Sequence, residues 1–234
     1  MIEQRIAAGL AAYGLPVTAA GPLARYCDLL LEQNRVMNLT AITDPEQAAD
    51  LHMLDSAALL TAADFRGKSV IDVGTGGGFP GLVLRLVEPT ARVTLLDSLG
   101  KRVRWLETIA PALGAGDVVC IHGRGEELAR TPEHRDGYDC AVSRAVADLS
   151  LLTELCLPFV KVGGCFLAMK GPDCQEEIDR AGRAISVLGG RLRPAFEYTI
   201  PGADLRRRVV VVEKVSPTPK GYPRRFAKMK KTPL

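Results

Sequence analysis

The run Asp72-Val73-Gly74-Thr75-Gly76-Gly77-Gly78-Phe79-Pro80-Gly81, directly after the apolar stretch Ser69-Val70-Ile71, constrains this chain more than any other feature. It reads as a buried strand closing on an acidic residue, followed by a turn so rich in glycine that backbone must face whatever binds there. Such a loop is a nucleotide site. A dinucleotide fingerprint needs a third glycine three places after Gly76, and Phe79 occupies that place, so the hydride-transfer version fails on its own spacing.

An acidic residue closing the strand suits a ligand whose charge is the reverse of a pyrophosphate. S-adenosylmethionine (SAM) carries an ammonium and a sulfonium, and Asp72 at the mouth is expected to attract both. Further on, Val93-Thr94-Leu95-Leu96-Asp97 reads as a second strand ending in a carboxylate able to accept both ribose hydroxyls.

Residues 1–62 carry helical patterns, notably 19–36 and 45–60, the latter behind a Thr43-Asp44 cap with Pro45 in the first turn. From Ser69 strands and helices alternate. Strands are expected at 69–73, 92–97, 118–121, 138–143, 164–170, 195–200 and 208–214, with helices at 100–112, 146–160 and 173–188 between them. The alternation predicts an α/β fold with a doubly wound parallel sheet. Pro201-Gly202-Ala203-Asp204 is too short for a crossover, so the last two strands must pair antiparallel. A seven-stranded sheet with that final hairpin is the Rossmann-like arrangement of class I SAM-dependent methyltransferases. Ligands sit at the carboxyl ends of such strands. Those ends carry Asp72–Gly78, Asp97, Gly125-Glu126, Arg144 and Lys170. Glu126 is placed to meet an adenine edge, and Arg144 stands where the transferred methyl should emerge, with a structural salt bridge as its alternative role.

The 234 residues suffice for one α/β core plus a small accessory region. No apolar run approaches a membrane span and the first residues lack a secretory pattern, so a cytoplasmic protein is expected. Six cysteines show no C-x-x-C and no zinc-like spacing to histidine, which predicts reduced, buried thiols and no metal. The net charge of +3 conceals an asymmetry. Six basic residues and no acidic one lie beyond Lys214, leaving 24 basic against 27 acidic residues, net −3, in the first 214. This tail is rich in proline, which argues for an extended strap rather than a helix. Tyr222 and Phe226 among its cations suggest contact with RNA through stacking and phosphate neutralisation, with Lys220, Arg224 and Arg225 as the candidate cations.

The chemistry narrows by what is missing. Methylation of an exocyclic amine usually calls for an Asn/Asp-Pro-Pro-aromatic turn after the fourth strand, where this chain has Ser143-Arg144-Ala145-Val146. Methylation of pyrimidine carbon five needs a thiolate at that mouth, yet Cys140 lies inside the strand. A ring nitrogen with a free lone pair, such as guanine N7, needs no proton removed before attack, and the gain then comes from proximity and orientation.

Asn38-Leu39-Thr40, His52, Asp55-Ser56, Asp72-Val73-Gly74-Thr75-Gly76, Phe79-Pro80-Gly81, Leu96-Asp97-Ser98, Lys101-Arg102, Ser143-Arg144-Ala145 and Lys170-Gly171, in this order, resemble the RsmG (GidB) family over nearly the whole chain. The resemblance implies N7 methylation of a guanosine in the 530 loop of 16S ribosomal RNA, with SAM as donor and the RNA or the small ribosomal subunit as partner. It places SAM contacts on Gly74, Phe79, Gly125, Glu126 and Arg144, which Asp97 joins by the ribose argument. It places Asn38, His52, Asp55, Lys170 and Arg144 near the guanine or its phosphates, with Arg144 and Lys170 as catalytic candidates. His52 and Asp55, three apart on one helical face, equally suit a polar pair anchoring the helix to the sheet. The expected organisation is a helical region at 1–62, a methyltransferase domain at 63–215 and a basic tail at 216–234, in a monomer. A small-molecule methyltransferase of this fold would act indifferently to salt, and a non-catalytic RNA-binding protein would show no affinity for SAM.

Overall fold

The computed structural model describes residues 1–144 and 147–234. The helices α1 (Ile2–Ala12), α2 (Ala20–Met37), α3 (Pro45–Ala48), α4 (Asp55–Ala57) and α5 (Leu59–Ala62) come first, with a π-helical segment, Ala49–Leu54, joining α3 to α4. There follow β1 (Ser69–Val73), α6 (Gly81–Val87), β2 (Arg92–Asp97), α7 (Gly100–Ala112), β3 (Val119–His122), α8 (Gly125–Leu128) and β4 (Tyr138–Arg144). The remaining elements are α9 (Leu149–Cys156), β5 (Val160–Lys170), α10 (Gln175–Val187), β6 (Gly190–Leu192), β7 (Phe196–Ile200), β8 (Leu205–Lys214) and α11 (Phe226–Lys231).

The sheet runs β3-β2-β1-β4-β5-β8-β6, parallel through β5, with β7 also paired to β8. Ile200 faces Leu205 across the last hairpin, which is antiparallel as its short loop requires. β6 and β7 lie end to end along the same edge of β8, so seven strand positions hold eight strands. The break falls at Pro194, which has no N–H to give a ladder. Asp44 caps α3, its Oδ1 accepting from Gln47 N–H at 2.8 Å, as expected from the sequence. The helix expected over 146–160 begins in residues outside the described set. Its described part starts after Asp148, whose side chain caps Ser150 N–H, and passes into a 3-10 turn containing Pro158.

Each face of the sheet has its own core. On one, Ile6, Leu10, Leu23, Tyr26, Leu30 and Met53 from the N-terminal helices pack with Val70, Leu95 and Val209 from the sheet. This region is therefore a layer on the sheet rather than a body beside it. On the other, α9, α10 and the tail cover Ile71, Ala141, Phe166 and Val210. No helix among the described residues is long and apolar enough to cross a membrane. All six cysteines are free, and four are buried.

The tail is an anchored strap that ends in a helix. Residues 215–225 form no strand or helix and turn at Lys220-Gly221, where Tyr222 N–H donates to the Pro219 carbonyl; α11 follows between Pro223 and Pro233, correcting the expectation of no helix, and its Met229 is buried against the second core. A segment outside the sheet leaves its carbonyls without ladder partners. Here Arg130 and Arg135 donate to five of them, on Thr218, Pro219, Gly221, Tyr222 and Pro223. The fully buried Lys214 ammonium donates to Thr218 Oγ1 (2.8 Å) and to the Leu157 and Val160 carbonyls. Arg224 forms a forked ion pair with Glu154 of α9, which is 1% exposed.

Candidate functional site

The strand ends frame a groove made of two connected cavities, of about 390 and 180 Å³, that share Gly74, Asp97 and Ser98. The larger follows Gly74–Gly77 toward His52 and Arg144. The smaller lies between Leu96, Leu155 and Gly125-Glu126 and is bounded by Phe226. A third cavity of about 470 Å³, lined by Asp55, Lys170, Tyr198 and Arg207, lies on the other side of His52 and Arg144, which line both it and the larger cavity. Small-molecule sites begin near ~300 Å³, so the first two together accommodate a nucleoside-sized ligand.

The glycine loop is built as its sequence demands. Gly74, Gly76 and Gly78 have φ of 76°, 60° and 91°, the left-handed region that side chains avoid. A Cβ on Gly78 would strike the Tyr26 hydroxyl, and one on Gly81 would lie 2.6 Å from Leu95 Cδ2. Asp72 is fully buried beneath this turn, not at its mouth. Its Oδ2 accepts from Thr75 Oγ1 (2.7 Å) and Gly81 N–H (2.8 Å), so it folds the loop rather than attracting a ligand, which corrects the sequence reading. Burial pushes its carboxyl up to about 7 against the pull of those two hydrogen bonds. The signal for this role was in the sequence, since Thr75 and Gly81 are the partners a strand-ending aspartate uses to close a turn locally.

Asp97 ends β2 and lines both cavities. Its Oδ2 accepts from Gly76 N–H (2.9 Å) and its Oδ1 from Leu99 N–H (2.8 Å). Two of the four lone-pair directions of the carboxylate thus fix the loop and two remain for a ligand. Arg102 lies 3.6 Å from Oδ2, and its buried Nε has no partner among the described residues. Backbone exposed at left-handed glycines, a half-used carboxylate and an orphaned guanidinium N–H together fit a ligand with a ribose and a carboxylate, as SAM has.

Phe79 is a keystone between layers. Tyr26 of α2 stacks on it with ring centroids 5.2 Å apart, and His52 stacks at 4.9 Å. The Arg144 guanidinium also lies over it, 4.9 Å from its centroid. Tyr26 further donates to the Gly77 carbonyl, a site contribution that its plain helical periodicity did not reveal.

Arg144 gathers the residues that the sequence placed near the acceptor. It donates to the Leu51 carbonyl (2.8 Å), to Asp55 Oδ2 (3.1 Å) and to His52 Nδ1 (3.0 Å). The salt bridge weighed from the sequence is thus real, and it is part of the site. An arginine only donates, so His52 Nδ1 must be an acceptor and its proton sits on Nε2, which donates to Thr40 Oγ1 at 2.7 Å. Burial, then the Arg144 charge, pulls the His52 pKa down to about 3, so the ring is neutral near pH 7. Asp55 Oδ1 accepts from the Tyr198 hydroxyl at 2.7 Å. Thr40 stood in the sequence only within the Asn38-Leu39-Thr40 motif, with no role of its own, and Tyr198 was not foreseen.

Other expected residues are used differently. The Lys170 ammonium is committed to the Ala147 carbonyl (2.7 Å) and to Glu177, whose Oε1 also accepts from Leu149 N–H. It ties Ala147 and Leu149 to α10, while the Lys170 side chain lines the third cavity with Asp55 and Arg144. Asn38 is an exposed left-handed cap on α2 (φ 50°), and the adjoining Leu39 and Thr40, rather than Asn38, line the groove. Arg224 is spent on Glu154 and is withdrawn from the RNA-contact set, while Lys220 and Arg225 stay exposed. Gly125 and Glu126 open α8 beside the smaller cavity. Ala145 and Val146 of the expected motif lie outside the described residues.

The family profile for rRNA small subunit methyltransferase G (GidB) matches residues 20–198. Ribosomal RNA small subunit methyltransferase G of Symbiobacterium thermophilum is 46% identical over 97% of this chain and 95% of its own length. The protein of the same name from Clostridium novyi is 46% identical over 90% and 87%. Among solved structures, TrmN from Thermus thermophilus superposes with a TM-score of 0.53 at 24% identity, covering 69% of this chain and 48% of its own. A SAM-dependent O-methyltransferase from Thermotoga maritima gives 0.53 at 18% identity, covering 81% and 72%. These last two likenesses carry the class I methyltransferase fold.

Proposed function

The chain belongs to the rRNA small subunit methyltransferase G (GidB) family, and we propose that it transfers a methyl group from SAM to N7 of a guanosine in the 530 loop of 16S ribosomal RNA. The observation that carries the choice of N7 is the absence of a free base in the cluster around Arg144, among the described residues. Both nitrogens of His52 and both oxygens of Asp55 are engaged, and His52 is held neutral. Such a cluster positions an acceptor and does not deprotonate it. N7 of guanine has an in-plane lone pair and loses no proton on methylation.

When bound, SAM supplies a methyl group made electrophilic by its sulfonium. The residues of this chain bind and orient. Gly74 and Gly76 present backbone to the donor, Asp97 receives the ribose hydroxyls and Arg102 the carboxylate, while Glu126 meets the adenine edge. Arg144, fixed by three hydrogen bonds and the Phe79 ring, stands between the donor groove and the acceptor cavity. Its remaining N–H groups donate to the O6 edge of guanine, which sets N7 toward the methyl. Lys170, which lines the acceptor cavity, and Glu177 hold Ala147 and Leu149 in place. Lys220 and Arg225 supply exposed charge for RNA phosphates.

The reading is tested by transferring labelled methyl from SAM to small ribosomal subunits of a strain lacking this protein, then digesting to nucleosides. Label is expected as N7-methylguanosine at one 530-loop position. Label in any other nucleoside, or none, refutes it.

A further inference from the structure

The cavity beside Glu126 has a wall that belongs to neither the sheet nor its helices. Phe226, the first residue of α11, lines it together with Leu96, Gly125, Glu126 and Leu155. The sequence alone had assigned this aromatic to RNA. Its location is instead at the donor groove, on the end away from Arg144, where a nucleoside whose ribose meets Asp97 must place its base.

The geometry points to the C-terminal strap as a component of the donor site, with Phe226 as the apolar wall against which the adenine of SAM packs. This rests on the donor reading given above. Three observations carry it. First, the cavity has the chemistry of a base slot: Leu96, Leu155 and Phe226 offer apolar surface to a flat ring, and the Glu126 carboxylate is an acceptor for an exocyclic amine at its edge. Second, Phe226 is held in place rather than trailing. Arg224, two residues before it, is locked into buried Glu154, and Met229, three after, is 1% exposed in the second core. Third, the approach to Phe226 is fixed upstream, since Arg130 and Arg135 hold the carbonyls of Thr218, Pro219, Gly221, Tyr222 and Pro223. Anchoring of this density is more than a solvated basic end needs. It delivers one ring to one cavity, and it leaves the cations of α11 on its outer side, where Lys228, Lys230 and Lys231 are exposed.

The test is equilibrium binding to the full chain by calorimetry, with SAM, S-adenosylhomocysteine and adenosine as probes. From the usual strength of aromatic stacking on a base, Phe226→Ala is expected to weaken SAM about 5- to 150-fold. The same factor is expected for the other two probes, because all three share the adenine. Phe226→Tyr should restore affinity, and Lys231→Ala should leave it unchanged. If Phe226→Ala lowers the melting temperature of the ligand-free protein, Phe226→Leu, which keeps apolar bulk without a ring face, is measured instead and is expected to show the same shared loss. Wild-type affinity for SAM in the folded variant overturns the assignment while leaving the donor reading intact. A wild-type chain that binds none of the three probes overturns the donor reading and this inference with it.

Discussion

Replacing His52 by glutamine tests the neutral imidazole on which the reading of the Arg144 cluster depends. Glutamine offers one acceptor and one donor, as the neutral ring does toward Arg144 and Thr40, and does not titrate. In the folded protein burial and the Arg144 guanidinium hold the His52 pKa at about 3, against an ordinary 6.5. The groups facing the ring are Arg144 from β4, Thr40 from the loop after α2 and the Phe79 ring. The unfolded chain therefore binds more protons than the folded one between these values, and stability rises with pH across the window. The contribution is fully present above about pH 6.5 and is lost progressively as pH falls toward 3. At pH 5 the loss is about 2 kcal/mol, from 1.36 kcal/mol for each unit between the ordinary value and the ambient pH. For a chain of this length that lowers the melting temperature by roughly 4–8 °C. Asp72 acts with the opposite sign, since a carboxyl raised to about 7 favours the folded state at low pH and loses that contribution as pH rises from 3.8 through 7. The wild-type curve alone is therefore not diagnostic. Because Asp72 is common to both proteins, the difference between wild-type and His52→Gln melting curves isolates the imidazole. That difference should change by about 2 kcal/mol between pH 7.5 and pH 5, in favour of the variant at the lower pH. Parallel curves, within about 0.5 kcal/mol, would refute a neutral buried His52.

Arg144→Lys keeps the charge but loses the planar fork that meets Leu51, Asp55 and His52, so single-turnover methyl transfer should fall on the order of 100-fold; normal turnover would return Arg144 to a purely structural salt bridge. Gly74→Val forces a β-branched residue into φ 76° at the donor loop and should weaken SAM binding at least about tenfold by calorimetry, and unchanged affinity would defeat the loop assignment. Glu154→Ala removes the partner of Arg224, a break worth about 3 kcal/mol in a buried pair, and should expose the strap to trypsin at Arg224 and Arg225; a strap as protected as in wild type would show that the arginine clamps suffice alone.

The parts of this molecule legible in its sequence are those whose causes are local. The strand runs of Val, Ile and Leu, the short loop at 201–204 and the glycine turn each encode their geometry within a few residues, and the sheet follows from them. The split between β6 and β7 was equally local, signalled by Pro194, but a three-residue strand carries too little pattern to read. The π-helical segment 49–54 was not legible, because one turn of i to i+5 bonding inside a helical stretch leaves no periodicity of its own in the sequence. That segment nevertheless decides the site. It carries the Leu51 carbonyl and His52 to Arg144, 92 residues away in sequence at the nearer of the two.

The same distinction accounts for two of the residues whose place in the structure differs from the one read in the sequence. Asp72 and Arg224 were read as facing ligands because each is a charge beside a binding motif, and in both cases burial reversed the role. Asp72 lies under the turn with Thr75 and Gly81, and Arg224 lies against a glutamate that is almost wholly buried. A charge removed from water is retained where it closes hydrogen bonds that the backbone cannot close for itself. Here those closures are the donor loop and the strap. The charged residues that face the cavities, Asp97 and Arg144, spend only part of their hydrogen-bonding capacity on the scaffold. The site is thus assembled from three separately anchored pieces, the glycine turn, the π-helical segment and the C-terminal strap. Each is set in place by an ionisable group, Asp72, Arg144 and Arg224 respectively.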